Sequence, residues 1–131
     1  MSTSGSVLLD TSVVVPHLRG DNLLSARLAQ VANLHMPWVV LGELRFGAQR
    51  AVRPQEAIAQ VRAFLRTVAL LLPDEGTAEL YGDLKAELAR IGKLIPDNDL
   101  WIAATARQLD LPLVTRDAHF SVVPRLTTLA W

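Results

Sequence analysis

The chain of 131 residues contains no cysteine, which excludes a disulfide scaffold, a thiolate zinc site and a cysteine nucleophile, and fits a cytosolic protein. It also lacks a charge bias. Thirteen basic residues balance thirteen acidic ones, so no broad basic surface marks a nucleic-acid partner. Lysine is nearly missing, with only Lys85 and Lys93; the other basic residues are arginines, whose planar forks suit phosphate groups. No apolar run approaches the ~18 residues a membrane span needs, because Arg, Asp, Glu or Pro interrupts each one, and no membrane association is expected. The opening Met1-Ser2-Thr3-Ser4-Gly5 lacks the basic-then-apolar order of a secretion signal, and residues 1–5 are expected to be a flexible N-terminal tail. There is no linker, internal repeat or low-complexity tract. What is present is apolar: half the residues are hydrophobic, enough for one core in a single domain over residues 1–131.

Val7-Leu8-Leu9 reads as a short buried strand ending at Asp10. Thr11 and Ser12 offer hydroxyls to cap a helix over 13–19, with Pro16 near its start. Gly20-Asp21 breaks that helix and caps the next, over 22–32. His35-Met36-Pro37 predicts a strand leading into a helix near Val39, and Pro54 starts another whose apolar period runs to Val68. A strand over 69–72 precedes a helix over 77–91, ended by Gly92. A helix over 100–109 is apolar nearly all round, a strand follows over 113–115, and a weaker one closes over 126–129. Strands alternating with helices at these spacings predict an α/β fold: a central, mainly parallel sheet of four to five short strands, covered by helices on both faces as an α/β/α sandwich.

Most carboxylates sit on polar helix faces; Glu79, Asp83 and Glu87 form one solvated stripe. Four are placed differently. Asp10 and Asp117 stand at or just beyond the ends of two predicted strands, on the sheet edge where ligands of parallel sheets bind. Glu43 interrupts a buried helix, and Asp99 opens the most apolar helix in the chain. Asp97, two residues earlier, is the better capping group of the pair. Carboxylates that share a site raise one another's pKa, so such a cluster stays protonated or holds a cation. An all-oxygen site favours a hard ion, Mg²⁺ or Mn²⁺, over zinc. An ion held by few carboxylates keeps waters and can clamp phosphate oxygens, which suits phosphodiester hydrolysis.

The segments Leu8-Leu9-Asp10-Thr11-Ser12-Val13, Gly42-Glu43-Leu44-Arg45-Phe46-Gly47, Ile95-Pro96-Asp97-Asn98-Asp99-Leu100-Trp101-Ile102-Ala103-Ala104 and Leu113-Val114-Thr115-Arg116-Asp117-Ala118-His119-Phe120 follow one another across nearly the whole chain. Together with Val123-Pro124-Arg125-Leu126 and the final Trp131, they resemble the PIN-domain ribonucleases, specifically the VapC-type toxins of bacterial toxin–antitoxin pairs. The resemblance implies a PIN-like fold and puts the family's acidic quartet on Asp10, Glu43, Asp99 and Asp117 as catalytic and metal-binding residues. Ser12 and Thr115 match positions where small hydroxyls line the metal pocket, with Asp97 as an additional supporting acid. It further implies a Mg²⁺- or Mn²⁺-dependent endonuclease acting on RNA, such as tRNA or rRNA, through an activated water. A homodimer, a cognate antitoxin that covers the pocket, and a bacterial cytoplasmic location also follow from it. Arg45 and Arg116, each beside one of the acids, are candidate phosphate contacts.

Two other readings compete. An Asp-dependent phosphatase or phosphoacceptor domain would use Asp10 after its strand, but the phosphatases want an acid two residues on, where Ser12 stands, and the phosphoacceptors want a lysine after the last core strand. A catalytically silent PIN-like binding module would not need four acids. His17 and His35 are expected at the surface or an interface, and His119 at a helix start beside the pocket, with no catalytic or metal spacing among them. Trp38, Trp101 and Trp131 are expected to pack in the core or at a dimer contact rather than stack on bases.

Overall fold

The computed structural model describes residues 5–131. Among them, five strands form one wholly parallel sheet, and six α-helices flank it. The expected α/β sandwich is what the chain adopts. Strand β1 (Ser6–Leu9) is central because Val7, Leu8 and Leu9 are buried on both faces of the sheet. It pairs with β2 (Asn33–Pro37) on one side and β4 (Leu113–Val114) on the other. Strands β3 (Ala69–Leu71) and β5 (Thr128–Leu129) form the edges, giving the order β3-β2-β1-β4-β5. The chain therefore works outward from β1 to β3, then returns to the far side of β1. The switch point lies between β1 and β4, where Leu9 pairs with Val114, and a crevice opens beyond those strand ends. Of the expected tail, residues 1–4 lie outside the described residues. Gly5 is already part of the sheet margin, its carbonyl accepting the Asn33 N–H at 3.1 Å.

Helix α1 (Thr11–Leu18) begins two residues earlier than the sequence predicts, with Asp10 as its N-cap residue. Thr11 and Ser12 are not caps: they stand in the first turn, and their hydroxyls bond carboxylates instead of helix N–H groups. Pro16 is consequently inside the helix, which ends two residues later. Helix α2 (Asn22–Ala29) is capped by Asp21, whose side chain accepts the Leu24 N–H, and Gly20 takes the positive φ of 95° that lets the chain turn there. Helices α3 (Trp38–Gln49) and α4 (Pro54–Leu65) pack on each other. Helix α5 (Glu75–Arg90) starts at Glu75 because Asp74 and Thr77 form a reciprocal capping box. Gln108 donates to the same Asp74 carboxylate at 2.7 Å, tying α5 to α6.

Helix α6 (Asp97–Leu109) buries Leu100, Ile102, Ala103, Ala104, Thr105 and Ala106, which accounts for its lack of a polar face. It starts three residues earlier than expected. Pro96 is the N-cap residue, and the Asp97 side chain makes no cap: it accepts from Tyr81 at 2.8 Å and Lys85 at 2.9 Å. A short 3₁₀ turn (Ala118–Val122) after β4 is anchored by fully buried Phe120. Trp38 and Trp101 meet edge to face, and Tyr81 stacks on Trp101 at 4.0 Å, so these two tryptophans pack internally as expected. His17 and His35 are both half-buried: His17 bonds Ser25 at 2.6 Å and lies against Phe64, and burial lowers its pKa; His35 stands within β2.

Candidate active site

Asp10 leaves β1 at the switch point, where its N–H bonds the Val114 carbonyl at 3.1 Å, and its side chain is buried. An isolated buried carboxylate is costly. Here two hydroxyls satisfy it: Ser12 Oγ at 2.7 Å and Thr115 Oγ1 at 2.8 Å both donate to Oδ2. The hydroxyl oxygens in turn accept main-chain N–H groups from the strand beyond. Ser12 Oγ takes the Arg116 N–H at 2.8 Å, and Thr115 Oγ1 takes the Asp117 N–H at 3.0 Å. Ser12 and Thr115 thus fix Asp10 and the turn bearing Asp117 in one network, although Asp10 and Thr115 are 105 residues apart in sequence.

Asp117 caps the 3₁₀ turn by accepting the His119 N–H at 2.9 Å. The same turn brings His119 Nδ1 to 3.0 Å from Asp99 Oδ2 and 3.3 Å from Asp117 Oδ1. Donor atoms from Asp99, Asp117 and His119 all lie within 4.8 Å of one another. Burial pushes the Asp99 carboxyl above its ordinary value, the His119 hydrogen bond opposes this, and the negative charges of Asp117 and Asp10 push it further up. Asp99 is therefore the group on which the crowding of acids falls.

Glu43 approaches from α3. Thr11 Oγ1 donates to its Oε1 at 2.5 Å and Asn98 Nδ2 to its Oε2 at 3.3 Å. Thr11 and Asn98 adjoin Asp10 and Asp99, so Glu43 stands against the same pocket but outside the tight group of Asp99, Asp117 and His119. Of the four expected acids, Asp99 and Asp117 stand in the tight group with His119; Asp10 lies outside that group but its charge still raises the Asp99 pKa, and Glu43 is at the rim. Asp97 is not with them: one oxygen binds Tyr81 and Lys85, both of which hold its pKa below the ordinary value. Arg116 does not face the pocket. Its guanidinium is engaged by the Trp131 main-chain oxygen at 2.5 Å and by Asp21 at 3.2 Å. Arg45, two positions along α3 from Glu43, lines a groove with Leu41, Arg62 and Leu65. Three residues that sequence reasoning left out of the site belong to it. Thr11 and Asn98 carried the signal of adjoining an acid, and His119 that of standing two positions from one.

The donor set fits a divalent cation. A carboxyl driven toward protonation by burial and by two like charges is relieved when a cation replaces the proton. Carboxylate oxygens are ordinary ligands of hard divalent ions.

The PIN domain family model matches residues 7–126. Ribonuclease VapC2 of Haemophilus influenzae is 33% identical over 127 residues, spanning 95% of this chain and 96% of its own length. Among solved structures, VapBC2 from Rickettsia felis, bound to a DNA fragment from their promoter, superposes with a TM-score of 0.91 at 24% identity, covering 96% of this chain and 98% of that one; this likeness concerns the fold alone. VapBC-5 from Mycobacterium tuberculosis, a member of the VapBC family of toxin-antitoxin systems, superposes with a TM-score of 0.74 at 28% identity, covering 95% and 96% of the two chains.

Proposed function

This chain belongs to the PIN-domain family, and from that premise we propose that it is the ribonuclease toxin of a toxin–antitoxin pair, a VapC-type endoribonuclease that needs a divalent ion, Mg²⁺ or Mn²⁺. The observation that carries this reading is the group of Asp99, Asp117 and His119 beyond β1 and β4, with buried Asp10 tied to the Asp117 turn through Ser12 and Thr115. When bound, the ion neutralises phosphate oxygens and acidifies a water for attack. Asp99 and Asp117 would hold it. Asp10 faces the same centre, its orientation fixed by Ser12 and Thr115. Glu43 Oε2, which accepts the 3.3 Å bond from Asn98, would take the attacking water's proton. An Asp-nucleophile phosphatase is disfavoured, since Asp10 is only 4% exposed and its Oδ2 already accepts two hydroxyls.

The substrate we assign is RNA, of the tRNA or rRNA class. With a net charge of zero the protein lacks the electrostatic footprint for long duplex contacts, which favours recognition of a short exposed segment. The partner is a cognate antitoxin. An apolar groove among α1, α3 and α4, lined by Val15, Leu18, Leu44, Ala48, Ala57 and Val61, reaches Glu43 and suits an amphipathic helix laid beside the active site. The assembly is a homodimer in the bacterial cytoplasm; among the described residues, no helix is long and apolar enough to cross a membrane. Expression of the chain without its antitoxin is expected to arrest bacterial growth with accumulation of RNA fragments, and Asp10→Asn, at equal protein level, to grow normally. Arrest by Asp10→Asn as strong as by wild type would contradict the nuclease reading.

A further inference from the structure

His119 is the nitrogen donor among the pocket's carboxylates, and the mechanism above gives it no task. Its position is fixed from two sides. The backbone N–H bonds Asp117 at 2.9 Å, and the next residue, Phe120, is buried to 1% exposure. The ring is thereby presented with Nδ1 at 3.0 Å from Asp99 Oδ2 and 3.3 Å from Asp117 Oδ1. Ligands of a small octahedral ion, bonded at 2.0–2.1 Å along perpendicular axes, stand about 3 Å apart along each edge of the octahedron. Both separations match that edge. One ring nitrogen thus stands at ligand-to-ligand spacing from both carboxylates. A neutral imidazole with its hydrogen on Nε2, on a side chain 55% exposed, has its Nδ1 lone pair free for the ion.

We propose that His119 Nδ1 is a direct ligand of the divalent ion held by Asp99 and Asp117, making the centre a mixed nitrogen–oxygen site that prefers Mn²⁺ to Mg²⁺. The inference rests on the metal-pocket reading above. Its chemical basis is ligand softness: imidazole adds affinity for transition-metal ions, whereas Mg²⁺ takes oxygen ligands and keeps its waters.

The test is pulsed electron paramagnetic resonance of the Mn²⁺-loaded full chain, which reads nitrogen bound to manganese without any turnover. Wild type is expected to show ¹⁴N modulation from one imidazole, altered to the ¹⁵N pattern when histidine is ¹⁵N-labelled and absent from His119→Ala. Calorimetric titration of His119→Ala is expected to show Mn²⁺ affinity lowered at least about tenfold and Mg²⁺ affinity lowered less than about threefold. Mn²⁺ bound in wild type with water couplings and no nitrogen modulation would overturn the assignment of His119 while leaving the pocket intact. So would nitrogen modulation that survives in His119→Ala. Failure of wild type to bind Mn²⁺, or unchanged binding by Asp99→Asn, would instead overturn the metal pocket itself.

Discussion

Asp99→Asn is expected to lower RNA cleavage by at least about 10²-fold and to leave the metal-free protein as stable as wild type or more so. Both halves come from the same side chain. Asp99 is half-buried, and burial, Asp117 and Asp10 together outweigh the His119 hydrogen bond in raising its pKa. A carboxyl whose folded pKa lies above its unfolded value binds its proton more tightly in the fold. Its favourable contribution is complete below the unfolded value of 3.8 and is lost as pH rises through the folded one. At neutrality, without metal, the ionised group opposes folding. Asparagine keeps the shape and removes the charge. Melts in EDTA across this range should therefore show the variant gaining on wild type as pH rises, with the gap closing on acidification. A large loss of stability in the metal-free variant at neutral pH would mark Asp99 as a structural carboxylate.

Chelation is expected to abolish cleavage outright, and Mn²⁺ or Mg²⁺ to restore it. Because the pocket exists only in the folded chain, an ion at a hundred times its dissociation constant should stabilise the fold by about 2.7 kcal/mol, read as a higher Tm than in EDTA. The gain should shrink as pH falls, since the proton competes with the ion at Asp99 over a range displaced upward from the ordinary carboxylate value. Asp99→Asn should lose most of the metal-induced shift. Activity that persists in EDTA and leaves cyclic phosphate ends would point to histidine-based cleavage and against an ion.

Much of this site is legible in the sequence because it lies at strand ends. Val7-Leu8-Leu9 and Leu113-Val114 are short apolar runs that suit strands of a buried parallel sheet, and the acids after them then share an edge; the Leu9–Val114 pairing realises that. What is not legible depends on partners far apart in the chain. The Thr11 and Ser12 hydroxyls look like helix caps until Glu43, 32 residues away, and Asp10 take them. Asp97 looks like the cap of α6, yet Tyr81 and Lys85 on α5 claim it, and Pro96 starts the helix without a side-chain bond. Arg116 adjoins Asp117 in sequence, but Asp21, 95 residues distant, turns its guanidinium away. His119 is expected beside the pocket, but its bond to Asp99 is not legible, because it depends on how a 3₁₀ turn meets the start of α6, a packing that periodicity does not encode.

Crystals of the full chain soaked in Mn²⁺ and measured for anomalous scattering address the shared pocket without reference to turnover. A peak bonded to carboxylate oxygens of both Asp99 and Asp117, beyond the ends of β1 and β4, is the expected result. Strong anomalous density elsewhere with none between those two side chains, at a concentration that supports cleavage, would contradict it.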